Sequence, residues 1–188
     1  MLKKRTKKYI AFFIVLAFIV LWSVLMFYIG PEELINEIGV RNGYILAFFM
    51  AVFGGVSALS STSFYVVEVG LVLGGLNPYI VGVLGGIGLS VGDTLFFFLG
   101  NRAKRTVVNY RKKWMGHFSK WLNRRPKWIV PIIAFVYSGL TPLPNDVLMI
   151  AAAFSDIKYR RIIVPVLLGN IFLTTIIAIA ALNGFNLI

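Results

Sequence analysis

The sequence predicts an all-α polytopic membrane protein: an inverted repeat of re-entrant helical hairpin plus transmembrane helix, with an N-terminal transmembrane helix and an interfacial amphipathic helix. Three observations predict it. Hydrophobic residues make up 59% of the 188-residue chain and charged residues only 14%, which with a mean hydropathy of +0.83 is far from a soluble domain. The nineteen Lys and Arg are confined to polar breaks between apolar stretches. Two of those stretches have lengths that suit neither one membrane crossing nor two.

Taken in order, residues 1–43 read as an anchor helix and an external acidic linker. Five cations within residues 1–8 precede the apolar run Tyr9 to Ile29. That run is too long for a signal-peptide core and carries no small-residue cleavage site, so it is expected to stay as an anchor with its N-terminus in the cytoplasm. The break that follows holds Glu32, Glu33 and Glu37 with Arg41 as its one cation. Residues 44–188 read as one membrane domain: 44–99 a first repeat, 100–127 a basic cytoplasmic segment, 128–188 a second repeat.

Within that domain, Tyr79 to Leu99 and Ile162 to Leu182 each match the roughly 20 apolar residues that cross a hydrocarbon core of about 30 Å. Tyr44 to Leu76 and Trp128 to Ser155 are long for one upright span and short for two. Each carries a breaker near its middle. In the first, hydroxyls from Ser57 to Ser63 compete for backbone partners. In the second, Thr141-Pro142-Leu143-Pro144-Asn145 removes two donors and disfavours helix before each proline.

Charge decides between span and hairpin. With the N-terminus inside, a single crossing by residues 44–76 would deliver the ten cations of residues 100–127 to the outside, against the positive-inside rule. If both intermediate stretches dip in and return, residues 100–127 and Lys158, Arg160 and Arg161 lie inside and the C-terminus outside. Eighteen of the nineteen cations are then cytoplasmic. The motif is thus used twice in opposite orientation. Faint echoes accompany it: Gly55 with Gly139, Leu59 with Leu143, Gly85 with Gly169 and Ile87 with Ile171. The rule also accounts for the net charge of +12, which in a soluble chain would suggest nucleic acid.

In the segment from Arg102 to Pro126, Val107, Tyr110, Trp114, Phe118, Trp121 and Leu122 recur at steps of three and four, the pattern of an amphipathic interfacial helix. Its cations serve topology or gather anionic lipid. His117 stands alone there and reads as structural.

Two opposed broken tips require a polar cavity near mid-depth, because non-helical backbone in a bilayer must be satisfied by protein or water. Ser61, Thr62 or Ser63 can cap the half-helix after the first tip and Asn145 that after the second, beside Pro142 and Pro144. Each cap leaves free N–H groups and a positive dipole end facing the cavity, an anion site. Glu68, Asp93 and Asp146 fall inside apolar runs, where a carboxylate costs several kcal/mol and ordinarily faces a cavity, balances charge or carries a proton. Their structural readings are surface hydration for Glu68, an interhelical hydrogen bond for Asp93 and a helix cap for Asp146. Gly82, Gly85, Gly86, Gly88 and Gly92 give the third span a flat face for close helix packing.

Gly70 to Arg102, with Gly88-Leu89-Ser90-Val91-Gly92-Asp93 and Leu99-Gly100-Asn101-Arg102, resembles the first half of the DedA family, also called the VTT or SNARE-associated Golgi protein domain. Thr141 to Asp146, continuing through Gly169, is similar to that family's second re-entrant motif. The resemblance covers residues 44 to 182 and marks Gly88, Gly92, Asp93, Gly100 and Arg102 as motif positions. Ser60 to Ser63 stand where the family has prolines and an acid, and Ser138, Gly139 and Asn145 where it has arginines.

What the resemblance implies is movement of phosphate-bearing lipid, phospholipid or polyprenyl phosphate, between leaflets by a scramblase or flippase-like transporter of a prokaryotic plasma membrane. The partners are then anionic membrane lipids, with protons and a homo-oligomeric copy compatible, and neither nucleic acid nor a cofactor is called for. Two rival readings are a proton-coupled transporter of a small solute or ion and a non-transport scaffold. An enzyme is disfavoured: the chain has one His, no Cys and no paired acids at metal spacing.

Overall fold

The structure, a computed structural model, describes residues 31–55, 58–106, 121–122, 124–126, 128–141, 145–155 and 157–185, with Ala17, Leu21 and Tyr28. The rest of the expected N-terminal span and most of the amphipathic segment, including His117, lie outside the described residues, as do Pro142 and Pro144. The described residues are all-helical. They form α1 (Pro31–Ile38), α2 (Val40–Gly54), α3 (Ala58–Leu73), α4 (Pro78–Thr106), α5 (Ile129–Leu140), α6 (Asn145–Phe154) and α7 (Tyr159–Phe185).

The helix boundaries follow from local chemistry. Gly39, at φ 81°, ends α1 by donating its N–H to Ile35 O at 2.8 Å, so what reads as a linker contains a short helix. The end of α3 is a Schellman motif on Gly75, whose φ is 93°: Gly75 N donates to Val72 O at 3.0 Å and Leu76 N to Leu71 O at 3.2 Å, while Leu76 and Leu71 share one apolar cluster. Asn77 then caps α4, its Oδ1 accepting from Tyr79 N at 2.9 Å, with Pro78 at the first helical position. The run Gly74-Gly75-Leu76-Asn77-Pro78 is therefore a complete stop-and-start signal.

Among the described residues, only α4 and α7 contain windows long and apolar enough to cross a membrane. At about 1.5 Å per residue, α2 and α3 reach roughly 22–24 Å and α5 and α6 roughly 15–18 Å, short of a core of about 30 Å. α2 and α3 fold back on each other so that their outer ends meet. Tyr44 OH accepts from Asn77 N at 3.1 Å, and the Leu76 side chain closes over Gly43.

The centre of the molecule is the antiparallel pair α4 and α7, the most extensive contact among the described residues. Gly82 lies against the backbone of Thr175 and Gly86 against that of Ile171, so the glycine face packs as its small residues allow. α2 runs parallel to α4, with Ala51 and the Phe48 carbonyl on Gly88 and Gly55 on Gly92 one turn later. α5 packs on α7 through Gly139 against Gly169. Of the second arms, α3 packs on α7 and α6 on α4.

Three apolar clusters are buried among the described residues, a small one of Ala51, Phe64 and Leu89 and two larger ones. One joins Val67, Leu71 and Leu76 to Val81 of α4 and Ala178 of α7; the other joins Val130, Leu148 and Met149 to Phe97 of α4 and Ile162 of α7. Leu122 is buried in the second core while its neighbour Trp121 is exposed under the Arg125 guanidinium, 4.6 Å from the ring centroid. The outward faces are apolar as well: Val83, Ile87, Val91 and Leu95 of α4 and Val164, Leu168, Phe172 and Ile176 of α7 are exposed. Continuous outward stripes of this kind suit contact with hydrocarbon rather than water.

Candidate functional site

Between the two larger clusters, near the middle of both long helices, the interior turns polar. Ser90 and Asp93 on α4 and Asn170 and Thr174 on α7 are all buried. Because α4 and α7 approach at glycine distance, these short side chains reach across the seam. Asn170 Nδ2 donates to Asp93 Oδ2 at 2.8 Å and to Ser90 Oγ at 3.0 Å. Thr174 Oγ1 lies 2.7 Å from both Gly82 O across the seam and Asn170 O in its own helix.

The break between α5 and α6 closes this network. Asn145, the first residue of α6, turns its side chain inward, Nδ2 donating to Asn170 Oδ1 at 2.7 Å and to Asp93 Oδ2 at 3.1 Å. Three helices are thereby tied through one carboxylate oxygen and two amides. Directly after Asp93 in α4, Thr94 shares a hydrogen bond with Tyr159 at 2.8 Å, and Phe97 and Phe98 pack at a tilt against the Tyr159 ring.

Glu68 of α3 is fully buried, and neither of its carboxyl oxygens has a hydrogen-bond partner among the described residues. The Asn145 Oδ1 atom is likewise buried without a donor. Tyr65 lies within electrostatic reach of both Glu68 and Asp93, and Asp146 within reach of Asp93 and Tyr137. The described basic side chains, Arg41, Arg124, Arg125, Lys158, Arg160 and Arg161, are all exposed. The buried side-chain atoms left without a partner among the described residues are thus all acceptors, and a carboxylate left without a donor costs several kcal/mol.

The candidate residues do not all meet. Asp93 and Asn145 come together. Asp146, half-buried in the first turn of α6, accepts its neighbour's N–H, Val147 N to Oδ1 at 2.8 Å. Glu68 is sealed in helix packing rather than hydrated at the surface. Ser61, Thr62 and Ser63 fall inside α3 instead of capping it, because the helix starts at Ala58; Thr62 is exposed, Ser61 half-buried and Ser63 buried. Their hydroxyls therefore do not precede the first turn, and the expected capping role does not fall to them. Gly88 and Gly92 are contact points for α2, while Gly100 and Arg102 continue α4 in its last turns. Among the described residues no three His, Cys, Asp or Glu gather as metal ligands would.

Three network members, Asn170, Ser90 and Thr174, are not among the candidate site residues that the sequence suggests. A signal for Asn170 exists: Gly92-Asp93 and Gly169-Asn170 are the same kind of dipeptide in the two long helices, 77 residues apart. In each, the glycine receives the end of the preceding short helix, against Gly55 and Gly139 respectively. An amide inside an apolar stretch invites the same question as an acid there, and here it hydrogen-bonds across helices.

No family model matches the chain, and no curated protein or solved structure matches it.

Proposed function

We propose that this chain is a multi-pass membrane transporter of the DedA kind that moves phosphate-bearing lipid headgroups between leaflets. The headgroup passes the polar layer while the acyl tails remain in the bilayer. The observation that carries the reading is the network at the break between α5 and α6, where Asn145 joins Asp93 and Asn170 at mid-length of the two long helices. A polar layer enclosed by helices too short to cross is the arrangement in which transporters bind substrate, with half-helix ends supplying N–H groups to an anion.

In this reading α2–α3 and α5–α6 are re-entrant hairpins entering from opposite faces. The exchange of partners supports an inverted repeat: each first arm packs on the long helix that follows it, and each second arm on the long helix of the other half. The protein resides in the plasma membrane of a prokaryote, N-terminus inside and C-terminus outside, as a single copy or a homo-oligomer. The first turn of α6 binds phosphate, and Asp93, Asp146 and Glu68 balance charge or carry protons.

The test is reconstitution into vesicles with fluorescent phospholipid or labelled polyprenyl phosphate in one leaflet. Acceleration of leaflet exchange over protein-free vesicles is expected, and its absence for every lipid removes the proposal. Proton-coupled movement of a small solute is the second reading, favoured by the unpartnered Glu68. It predicts flux that depends on a proton gradient and is lost in Asp93→Asn.

A further inference from the structure

We propose that the outward face of the α5–α7 pair binds an anionic phospholipid of the cytoplasmic leaflet, its phosphate held by Arg160 and Arg161 and its acyl chains laid along the two helices. This lipid is resident rather than cargo, and the inference rests on the membrane reading alone, not on transport.

The two ends of the bundle differ in charge. At the end built around Leu76 and Val81, α1 exposes Glu33 and Glu37, and Arg41 follows at the start of α2. At the other end Arg124, Arg125, Lys158, Arg160 and Arg161 are all exposed. These five border one core: Leu122, whose carbonyl accepts from Arg125 N at 3.1 Å, is buried in the same cluster as Ile162. The sequence of the two bordering segments, 121–128 and 155–161, holds six cations against one acid, Asp156. Topology alone asks for an excess of cations on this side. It does not ask for what lies beneath them.

Two apolar stripes start there at the same level. α5 runs parallel to α7, because Val130 and Ala134 share the cluster of Ile162 and Val166 while Gly139 meets Gly169 further on. On α5, Trp128, Ile132, Val136 and Leu140 are exposed at steps of four; on α7 the same step runs from Arg160 through Val164, Leu168 and Phe172. Residues four apart lie one above another on a helix face, so an indole heads one stripe and a guanidinium the other. The α7 stripe adjoins α5 where the Phe172 and Phe135 ring centroids stand 6.0 Å apart. Each stripe rises through twelve residue steps, about 18 Å, close to one leaflet of a core of about 30 Å. Charge at the interface over a leaflet's depth of apolar surface is the outline of a phospholipid. Arginine matches phosphate with paired hydrogen bonds, indole sits at headgroup level, and basic sites between membrane helices take anionic headgroups. A zwitterionic headgroup brings its own ammonium against the arginines, so the selection is for net negative charge.

Trp128 reports on occupancy. In full-length protein carrying Trp22→Phe, Trp114→Phe and Trp121→Phe, its fluorescence is followed in vesicles of phosphatidylglycerol and phosphatidylcholine, with first one and then the other dibrominated on its acyl chains. The quenching is expected to show phosphatidylglycerol preferred beside Trp128 about fivefold or more, the worth of one basic residue at an anionic surface. Native mass spectrometry of the protein with all four tryptophans is the second measurement, and phosphatidylglycerol is expected to stay bound where phosphatidylcholine does not.

Arg160→Gln combined with Arg161→Gln should bring the two lipids to about equal quenching, while Arg41→Gln, at the acidic end, should leave the preference unchanged. Circular dichroism reports on folding; if the double variant does not fold, Arg160→Gln alone decides and should lose about half of the preference or more. Equal quenching by both lipids before any arginine is replaced overturns the site, and a preference that survives the loss of both arginines overturns its placement on α7. Leaflet exchange measured on the same vesicles separates this site from transport. Preference without exchange upholds the site and sinks the transport reading, exchange without preference does the reverse, and absence of both overturns both.

Discussion

Replacing Gly86 by Ala adds one methyl group to the seam between α4 and α7, and the structure sets its cost. The new carbon would overlap the Cα and N of Ile171, backbone atoms that no rotamer change can remove. Reaching an ordinary carbon contact of about 3.5–4.0 Å requires the helices to part by roughly an ångström. Overpacking of this kind costs about 1–3 kcal/mol. The separation also stretches the hydrogen bonds from Asn170 to Asp93 and Ser90 and from Thr174 to Gly82, at about 0.6 kcal/mol each on the scale of interhelical bonds in membranes. Against this stands a gain of about 1 kcal/mol from removing a glycine inside a helix. The net expectation is a loss of about 2–4 kcal/mol, read as a lower midpoint in reversible unfolding by increasing SDS fraction in mixed micelles, followed by circular dichroism. Gly184→Ala is the control, because a Cβ there meets nothing and stability should be unchanged or slightly raised. If Gly86→Ala proves as stable as the wild type, the two long helices do not approach as described and the network they support is wrong.

Further expectations concern single interactions. Thr174→Val keeps the shape but removes the donor to Gly82 O, and should cost about 0.6–1.7 kcal/mol in the same unfolding assay. Asn77→Ala deletes the cap on Tyr79 N and should cost about 1 kcal/mol; no change would mean that Pro78 alone starts α4. Glu68→Met replaces a buried carboxyl that is unpartnered among the described residues with an apolar chain of similar length and should raise stability by about 1–3 kcal/mol. A loss of stability instead would show that Glu68 has a partner in the resting protein. Cysteines at the exposed positions Asn42, Tyr79, Lys158 and Leu182, probed with an impermeant maleimide in intact cells, should label from the external face at 42, 79 and 182 and from the cytoplasmic face at 158. Opposite faces for 42 and 79 would mean that α2–α3 crosses the membrane, and would remove the re-entrant reading.

Much of the architecture is legible in the sequence because it is written in short-range chemistry. The stop at Gly75 and start at Asn77-Pro78 need only neighbouring residues. The apolar lengths of α4 and α7, and the breaks within 44–76 and 128–155, need only hydropathy and hydroxyl or proline content. Asp93 and Glu68 stand out because a carboxyl in an apolar run is costly wherever it ends up. The start of α3 was less legible: a serine-rich run suits a cap, yet three of its members are helical from inside, since burial against α4 and α7 outweighs the weak preference of Ser and Thr for helix ends.

What composition and spacing determined, then, is a reading of this chain as helical and apolar, with three crossing-length runs, two broken stretches and three acids that need company. Which acid found company was decided only by the fold. Asp93 and Asn170 are distant in sequence and meet because glycines let α4 and α7 close to backbone contact, bringing short side chains within hydrogen-bond reach. Glu68 faces Gly85 and the Phe64 ring and finds no donor among the described residues. Hydrogen bonding acts over about 3 Å, a distance that periodicity along one helix cannot specify and that only the packing of several helices sets.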